Sequence, residues 1–288
     1  MKRFFLKRRK RFAAVLLAAV LIAVLFARGA WENTALTLTA YEIDGAPEGL
    51  DGLKIAQVSD LHNAQMGENN EKLLSLLKSA APHLIVITGD MIDSRRTDLD
   101  VALAFAEEAV RIAPCYYVTG NHEARCEEYP AFKEGLALRG VTVLDGARAT
   151  INYEGETLTL IGVGDPSFTA TQTESEQSVT QTALRALVRE EDGYTVLLSH
   201  RPELFETYAE CGVDLVFSGH AHGGQIRLPL VGGVIAPNQG LFPKYDAGVY
   251  TSAKTRMIVS RGIGNSLLPF RFNNRPEVIL IELESLKG

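Results

Sequence analysis

Cysteine is scarce: the 288 residues contain three, Cys115, Cys126 and Cys211, and no two are close in sequence. An odd count leaves at least one thiol unpaired, and the spacing excludes both a disulfide framework and the clustered pairs of a structural zinc site. All three read as buried free thiols. Internal repeats and low-complexity tracts are missing. No stretch between Asp51 and Leu283 is long and polar enough to be a linker, so that span reads as one domain without a large capping insertion. Basic residues are also scarce beyond the N-terminus. Residues 1–28 hold eight of the 29 Lys and Arg and no acid, which leaves 21 basic against 35 acidic residues, a formal charge of −14 on the remainder. A body of that sign repels polyphosphate at long range, so no nucleic-acid partner is expected.

What the N-terminus does have is one unbroken apolar run, Phe12 to Ala27, flanked by Lys7–Arg11 and Arg28. As a helix it measures about 24 Å, against about 30 Å of bilayer hydrocarbon. Snorkelling by Arg11 and Arg28, or mild thinning of the bilayer, closes that gap. Residues 1–30 therefore read as a basic N-terminus with a single-pass membrane anchor. A signal peptide cut near Ala27-Arg28-Gly29 is the alternative. The positive charges before the run place the body of the chain outside the cytoplasm, at the cell membrane.

Residues 31–50 read as a lead-in with an edge strand near Leu36–Thr39. A rhythm of apolar strands and amphipathic helices then begins. Strands are expected at Lys54–Val58, Leu84–Thr88 and Cys115–Thr119, and helices at Asn69–Ala80, Asp98–Ile112 and Tyr129–Leu138. Thr150–Tyr153 and Thr157–Val163 read as a hairpin. Strands follow at Thr195–Leu198, Asp214–Phe217, Gly248–Thr251, Met257–Ser260 and Val278–Leu283, with helices at Gln177–Arg189 and Pro202–Glu210. Alternation followed by more strands predicts an α/β fold of two sheets packed face to face, with helices outside.

Five of the six histidines lie just past the carboxyl end of a predicted strand, where active sites of open α/β sheets assemble. The strand ends read Ser59-Asp60-Leu61-His62, Gly89-Asp90, Gly120-Asn121-His122-Glu123, Ser199-His200 and Gly219-His220-Ala221-His222. Asp60 and His62, two apart in extended chain, would share a face. Carboxylate and imidazole together suit Mn, Fe or Zn. Any one of these segments alone is an ordinary turn or a structural histidine; five in succession point to a metal centre. His83 precedes its strand and reads as a surface residue.

The ordered set D-x-H, G-D, G-N-H-E, H and G-H-x-H resembles the calcineurin-like metallophosphoesterase superfamily. GHAHGGQI at Gly219–Ile226, VSRGIG at Val259–Gly264 and RPEVILIEL at Arg275–Leu283 look like its membrane-associated bacterial branch of small phosphoesterases. The resemblance implies that residues 51–288 form a metallophosphoesterase domain, a four-layer α-β-β-α sandwich with a dinuclear metal site at the strand ends. It implies one divalent ion on Asp60, His62, Asp90 and His222, and a second on Asp90, Asn121, His200 and His220, with Asp90 bridging. His122 would protonate the leaving oxygen, oriented by Asp93 or by Glu123. Two cations so held can activate a bridging hydroxide and neutralise phosphoryl charge during in-line displacement. The expected substrate is a phosphate ester or pyrophosphate, lipid-linked, in the envelope or small and soluble. A nuclease-type phosphodiesterase and a non-catalytic metal-binding module are the alternatives. Arg201, Arg261, Arg271 and Arg275 are candidate phosphate ligands. Leu267–Phe272 reads either as a membrane-facing patch or as core.

Overall fold

The structure, a computed structural model, describes residues 2–171, 173–265 and 268–285. In chain order the elements are α1 (Lys2–Glu32), β1 (Thr37–Ala46), β2 (Lys54–Val58), α2 (Glu71–Ala80), β3 (Leu84–Thr88), α3 (Leu99–Ala109), β4 (Cys115–Val118) and α4 (Tyr129–Leu138). They continue with β5 (Thr142–Val143), β6 (Ala147–Tyr153), β7 (Glu156–Gly162), α5 (Glu176–Leu187), β8 (Tyr194–Leu198), α6 (Phe205–Glu210) and β9 (Leu215–Ser218). Four two-residue strands come next, β10 (Arg227–Leu228), β11 (Gly232–Gly233), β12 (Ile235–Ala236) and β13 (Gly240–Leu241). β14 (Gly248–Ser252), β15 (Thr255–Val259) and β16 (Glu277–Ser285) complete the fold.

Two six-stranded sheets form, in the orders β1-β16-β2-β3-β4-β5 and β14-β15-β9-β8-β7-β6. The central strands β2, β3 and β4 run parallel, as do β7, β8, β9 and β15, so their carboxyl ends gather at one edge of each sheet. Alternation along the strands sorts side chains into layers. Ile85 and Ile87 of β3 pack outward with Leu73 and Leu77 of α2, Phe105 of α3 and Phe132 of α4. Leu84 and Val86 point the other way, onto Leu160, Val196 and Phe217 of the second sheet. That sheet's outer face, through Leu197, Val216 and Met257, covers Leu184 of α5 and Phe205 of α6. The result is the expected four-layer α-β-β-α sandwich, and each strand of its centre is apolar on both faces because both are covered.

One buried polar residue ties the sheets together beside the site. Gln57 Nε2 donates to Thr88 Oγ1 at 2.9 Å and to the Ser218 carbonyl at 2.8 Å, joining β2, β3 and β9. Boundaries differ from expectation where local backbone decides. α2 starts at Glu71 rather than Asn69, because Asn69 and Asn70 take left-handed φ of 49° and 60°. The lead-in is more than a short edge strand: β1 pairs in parallel with β16 along nearly its whole length. α1 includes one span, Arg8–Glu32, long and apolar enough to cross a membrane. Of the apolar patch expected at 267–272, Leu267 lies outside the described residues, Phe270 is exposed and Arg271 is buried.

Candidate metal centre

The five strand ends, four of them bearing histidine, converge. His62 Nε2 lies 3.2 Å from His222 Nε2, and Asp60 Oδ1 lies 3.4 Å from His222 Nε2 and 3.9 Å from His62 Nε2. Asp90 Oδ2 is 3.2 Å from His200 Nε2, which is 3.1 Å from His220 Nδ1. The two sets meet at Asp90, whose Oδ2 is also 3.6 Å from His62 Nε2. All six side chains are buried. Asn121 lines the same cleft as Asp90, His220 and His222, and its Oδ1 is buried with no hydrogen-bond partner among the described residues. His83 stands apart, exposed, accepting the Lys54 N–H at 2.8 Å.

Asp60 and His62 do not share a face through extended chain, as the sequence suggested. Both are left-handed, with φ of 52° and 46°, as are Asp90 at 51°, His220 at 66° and His222 at 48°. Strand geometry would carry alternate side chains away from the sheet end; the left-handed turns fold them back over it. Such conformations are strained for residues with a Cβ and persist where surrounding contacts over-determine them. Here Glu123 supplies many of those contacts. Its carboxylate accepts the N–H groups of Asp90 (2.9 Å), Met91 (2.8 Å) and Gly120 (2.8 Å). Glu123 is thus a clamp on two loops rather than the partner of His122. Burial, reinforced by the charge of Asp90, lifts its carboxyl to about 8. Two glycines allow the close approach: a Cβ on Gly120 would meet Asp90 Oδ1 at 2.2 Å, and one on Gly219 would meet Ser59 Oγ at 1.9 Å.

The donor set fits divalent cations. Ligand bonds of about 2.1 Å at right angles or a little wider separate neighbouring donors by about 3.0–3.4 Å; the Asp90–His200–His220 set has this spacing, and the Asp60–His62–His222 set runs from 3.2 to 3.9 Å. Burial pushes His62 down to about 3, and His220 and His222 well below the usual imidazole range, so all three present lone pairs. His200 resists the same burial because Asp90 draws a proton onto it, lifting it to about 10; a cation between the two would take that proton's place. His200 Nδ1 faces the Thr88 carbonyl at 2.7 Å, which fixes Nε2 as the inward nitrogen. Asp90 Oδ1 accepts the His122 N–H at 2.8 Å, leaving Oδ2 to face both sets. Asp60 accepts from Ser59 Oγ at 2.6 Å and from the His220 N–H at 3.1 Å; burial lifts it to about 6 against the pull of His200.

His122 sits at the rim, its ring edge-on to His62 with centroids 4.5 Å apart. Its Nδ1 accepts the Ser94 N–H at 3.2 Å, so the neutral ring carries its proton on Nε2. Asp93 Oδ1 is 3.5 Å from the same nitrogen, and its carboxylate is held by Arg95 at 2.9 and 3.0 Å. The sequence reading missed Ser94, whose N–H and Oγ both lie 3.2 Å from His122 Nδ1.

The candidate phosphate ligands also change. Arg201 is buried against Asp165, Arg261 pairs with Glu277, Arg271 donates to the Arg261 and Gly264 carbonyls, and Arg275 donates to Ala35 and Leu36 carbonyls beneath Trp31. All four are committed to structure. The arginines that line the cleft, about 240 Å³ in volume, are Arg95 and Arg125. Their signal was position: each follows a motif residue within one turn of loop. Beneath the cleft, Asn274 Nδ2 donates to the His222 carbonyl at 2.7 Å and to that of Gln225 at 3.0 Å, while Asn274 N–H faces Glu32 Oε2 of α1 at 3.4 Å.

A two-sheet sandwich whose strand ends bring carboxylates and imidazoles to metal-ligand spacing has the architecture of a metal-dependent phosphoesterase. Residues 53–224 match the calcineurin-like phosphoesterase family, and the chain belongs to it. It is a metallophosphoesterase, of a family that works with divalent metals. An uncharacterized metallophosphoesterase of Bacillus subtilis, YkuE, is 30% identical over 83% of this chain and 82% of its own. Phosphodiesterase YaeI of Escherichia coli is 30% identical over 80% of this chain and 82% of its own. A transmembrane protein with metallophosphoesterase domain from Danio rerio is 27% identical over 95% of this chain and 63% of its own. Among solved structures, TT1561 of Thermus thermophilus shares the fold, with a TM-score of 0.52 at 15% identity over 74% of this chain and 90% of its own.

Proposed function

We propose that the protein is a membrane-associated phosphodiesterase or pyrophosphatase with a two-metal site on Asp60, His62, Asp90, His222, Asn121, His200 and His220, Asp90 being shared. The observation that carries this is the pair of donor sets joined through one carboxylate oxygen. Bound cations would supply an activated water and neutralise charge on the phosphoryl group. Arg125, and the part of the Arg95 guanidinium that Asp93 does not hold, would meet non-bridging oxygens of the substrate at the rim. As imidazolium, His122 would carry its Nδ1 proton toward Ser94 Oγ, 3.2 Å away, and Asp93 Oδ1, 3.5 Å away, and would give its Nε2 proton to the departing oxygen, returning to the neutral ring. Burial lowers His122 from the ordinary imidazole range, and Asp90 and Asp93 pull it back, so the imidazolium that donation needs would depend on those two carboxylates.

The relative named phosphodiesterase favours diesters, and α1 favours substrates at an envelope membrane, with the domain outside the cytoplasm. The test is elemental analysis and kinetics of the full chain, loaded with Mn, Fe or Zn, on aryl monoesters, aryl diesters, nucleotide sugars and phospholipids. Two metal equivalents and turnover on a diester or pyrophosphate are expected. His122→Ala should lower kcat by about 10²–10⁴ with metal content intact. Turnover on no phosphoester by the loaded protein would refute the assignment.

A further inference from the structure

The two hairpins after the GHAHGG loop carry an apolar surface that the metal centre does not use. Leu228, Leu230, Val231, Ile235, Leu241 and Phe242 are all exposed, Leu230 fully, within β10–β11, β12–β13 and their turns. Single exposed apolar residues are ordinary on soluble surfaces; six in fifteen positions mark a contact site. The base of this surface is joined to α1. Leu25 and Phe26 line one groove of about 360 Å³ with Ile226, Leu228, Phe270 and Phe272.

That groove fixes a depth. Leu25 and Phe26 belong to the apolar run that ends at Ala27, and Arg28 is the first charge after it. At about 1.5 Å per residue they sit about 3–5 Å to the hydrocarbon side of Arg28. Domain side chains packed beside them lie at that level too, within the bilayer interface rather than above it. The run alone falls a few ångströms short of the hydrocarbon core. Apolar hairpins alongside its end would extend the apolar band on this side.

We propose that the hairpins spanning residues 226–242, together with Phe270, are a docking surface seated in the bilayer that α1 crosses. Pro237 and Asn238, between β12 and β13, line the metal cleft. Docking therefore sets one wall of the cleft at headgroup level, where a phosphoester borne on a lipid reaches the site without leaving its leaflet. The substrate class assigned in this way, a lipid phosphoester, rests on the two-metal phosphoesterase reading; the docking itself does not.

The experiment uses the full chain in nanodiscs, in a Cys211→Ser background, with bimane attached at Leu230→Cys, Phe242→Cys or Leu138→Cys. Leu138 is an exposed apolar residue of α4, on the far helical layer. Lipids brominated near the headgroup should quench the labels at 230 and 242 several-fold more than the label at 138. Equal quenching at all three overturns the docking surface. The unlabelled double variant Leu230→Glu/Phe242→Glu should then hydrolyse a vesicle-borne phosphodiester lipid at least about ten-fold more slowly, with turnover of soluble bis(4-nitrophenyl) phosphate unchanged. Parallel loss on both substrates, or no loss on the lipid, overturns the substrate class. Failure of the loaded wild type on both substrates removes the phosphoesterase reading and leaves the quenching result to decide docking.

Discussion

Gly120→Ala isolates the geometry of the shared carboxylate without touching a ligand. The new Cβ would lie 2.2 Å from Asp90 Oδ1 and 2.7 Å from Asp90 N. An ordinary close contact is about 3.2 Å, so Asp90 and the Gly120 loop must part by about 1 Å. Because one clashing atom is backbone, rotating the side chain cannot relieve it. The same loops are pinned by four N–H bonds to Glu123, from Asp90, Met91, Ile92 and Gly120. The shift therefore strains the clamp instead of dispersing into solvent. Overpacking of this kind costs about 1–3 kcal/mol. A 1 Å misplacement of a reacting geometry lowers kcat by about 10², and metal affinity should fall by about 10–100-fold, as when supporting contacts are lost. The assay is kcat on an aryl diester, metal content by elemental analysis, and Tm, each beside Gly193→Ala. A Cβ at Gly193 meets only the Thr157 carbonyl, at 3.8 Å, so that variant should match wild type. Wild-type kcat and two full metal equivalents in Gly120→Ala would refute the placement of Asp90 at the heart of the site.

Asp90→Asn should release metal from both positions, since one oxygen faces both donor sets; two equivalents retained would contradict the sharing. Glu123→Ala should destabilise the fold by about 3–5 kcal/mol, because several buried N–H groups lose their acceptor; thermal unfolding with no drop in Tm would remove the clamp. Cys115, Cys126 and Cys211 are free in the structure and should all react with a thiol reagent after denaturation without reductant. A count of one would reveal a disulfide.

The sandwich was legible because buried parallel strands are short apolar runs with chemistry at their carboxyl ends. Lys54–Val58 and Leu84–Thr88 have the bounds that their apolar character predicts. The convergence of histidines was legible for the same reason. What escaped was decided by backbone and by long-range pairing. Left-handed φ at Asp60 and His62 follows from contacts with distant loops, and no local pattern marks it. Ser94 is a lone serine in a loop, and only the fold brings its N–H and Oγ to His122. The buried arginines look like surface residues until their carbonyl and carboxylate partners, up to 240 residues away, are in place. The four short strands at 227–241 have two residues each, too few for any alternation to be read.

Glu32, at the last turn of α1, is almost wholly buried, and it reaches the histidine loop through Asn274. The hydrophobic N-terminal helix therefore ends inside the catalytic body, with no flexible tether between them. Soluble versions cut upstream of Glu32 keep this support, and processing near Gly29 would spare it as well. Versions cut downstream remove a supporting carboxylate from under the centre, so their weak turnover would report the chosen cut rather than the enzyme.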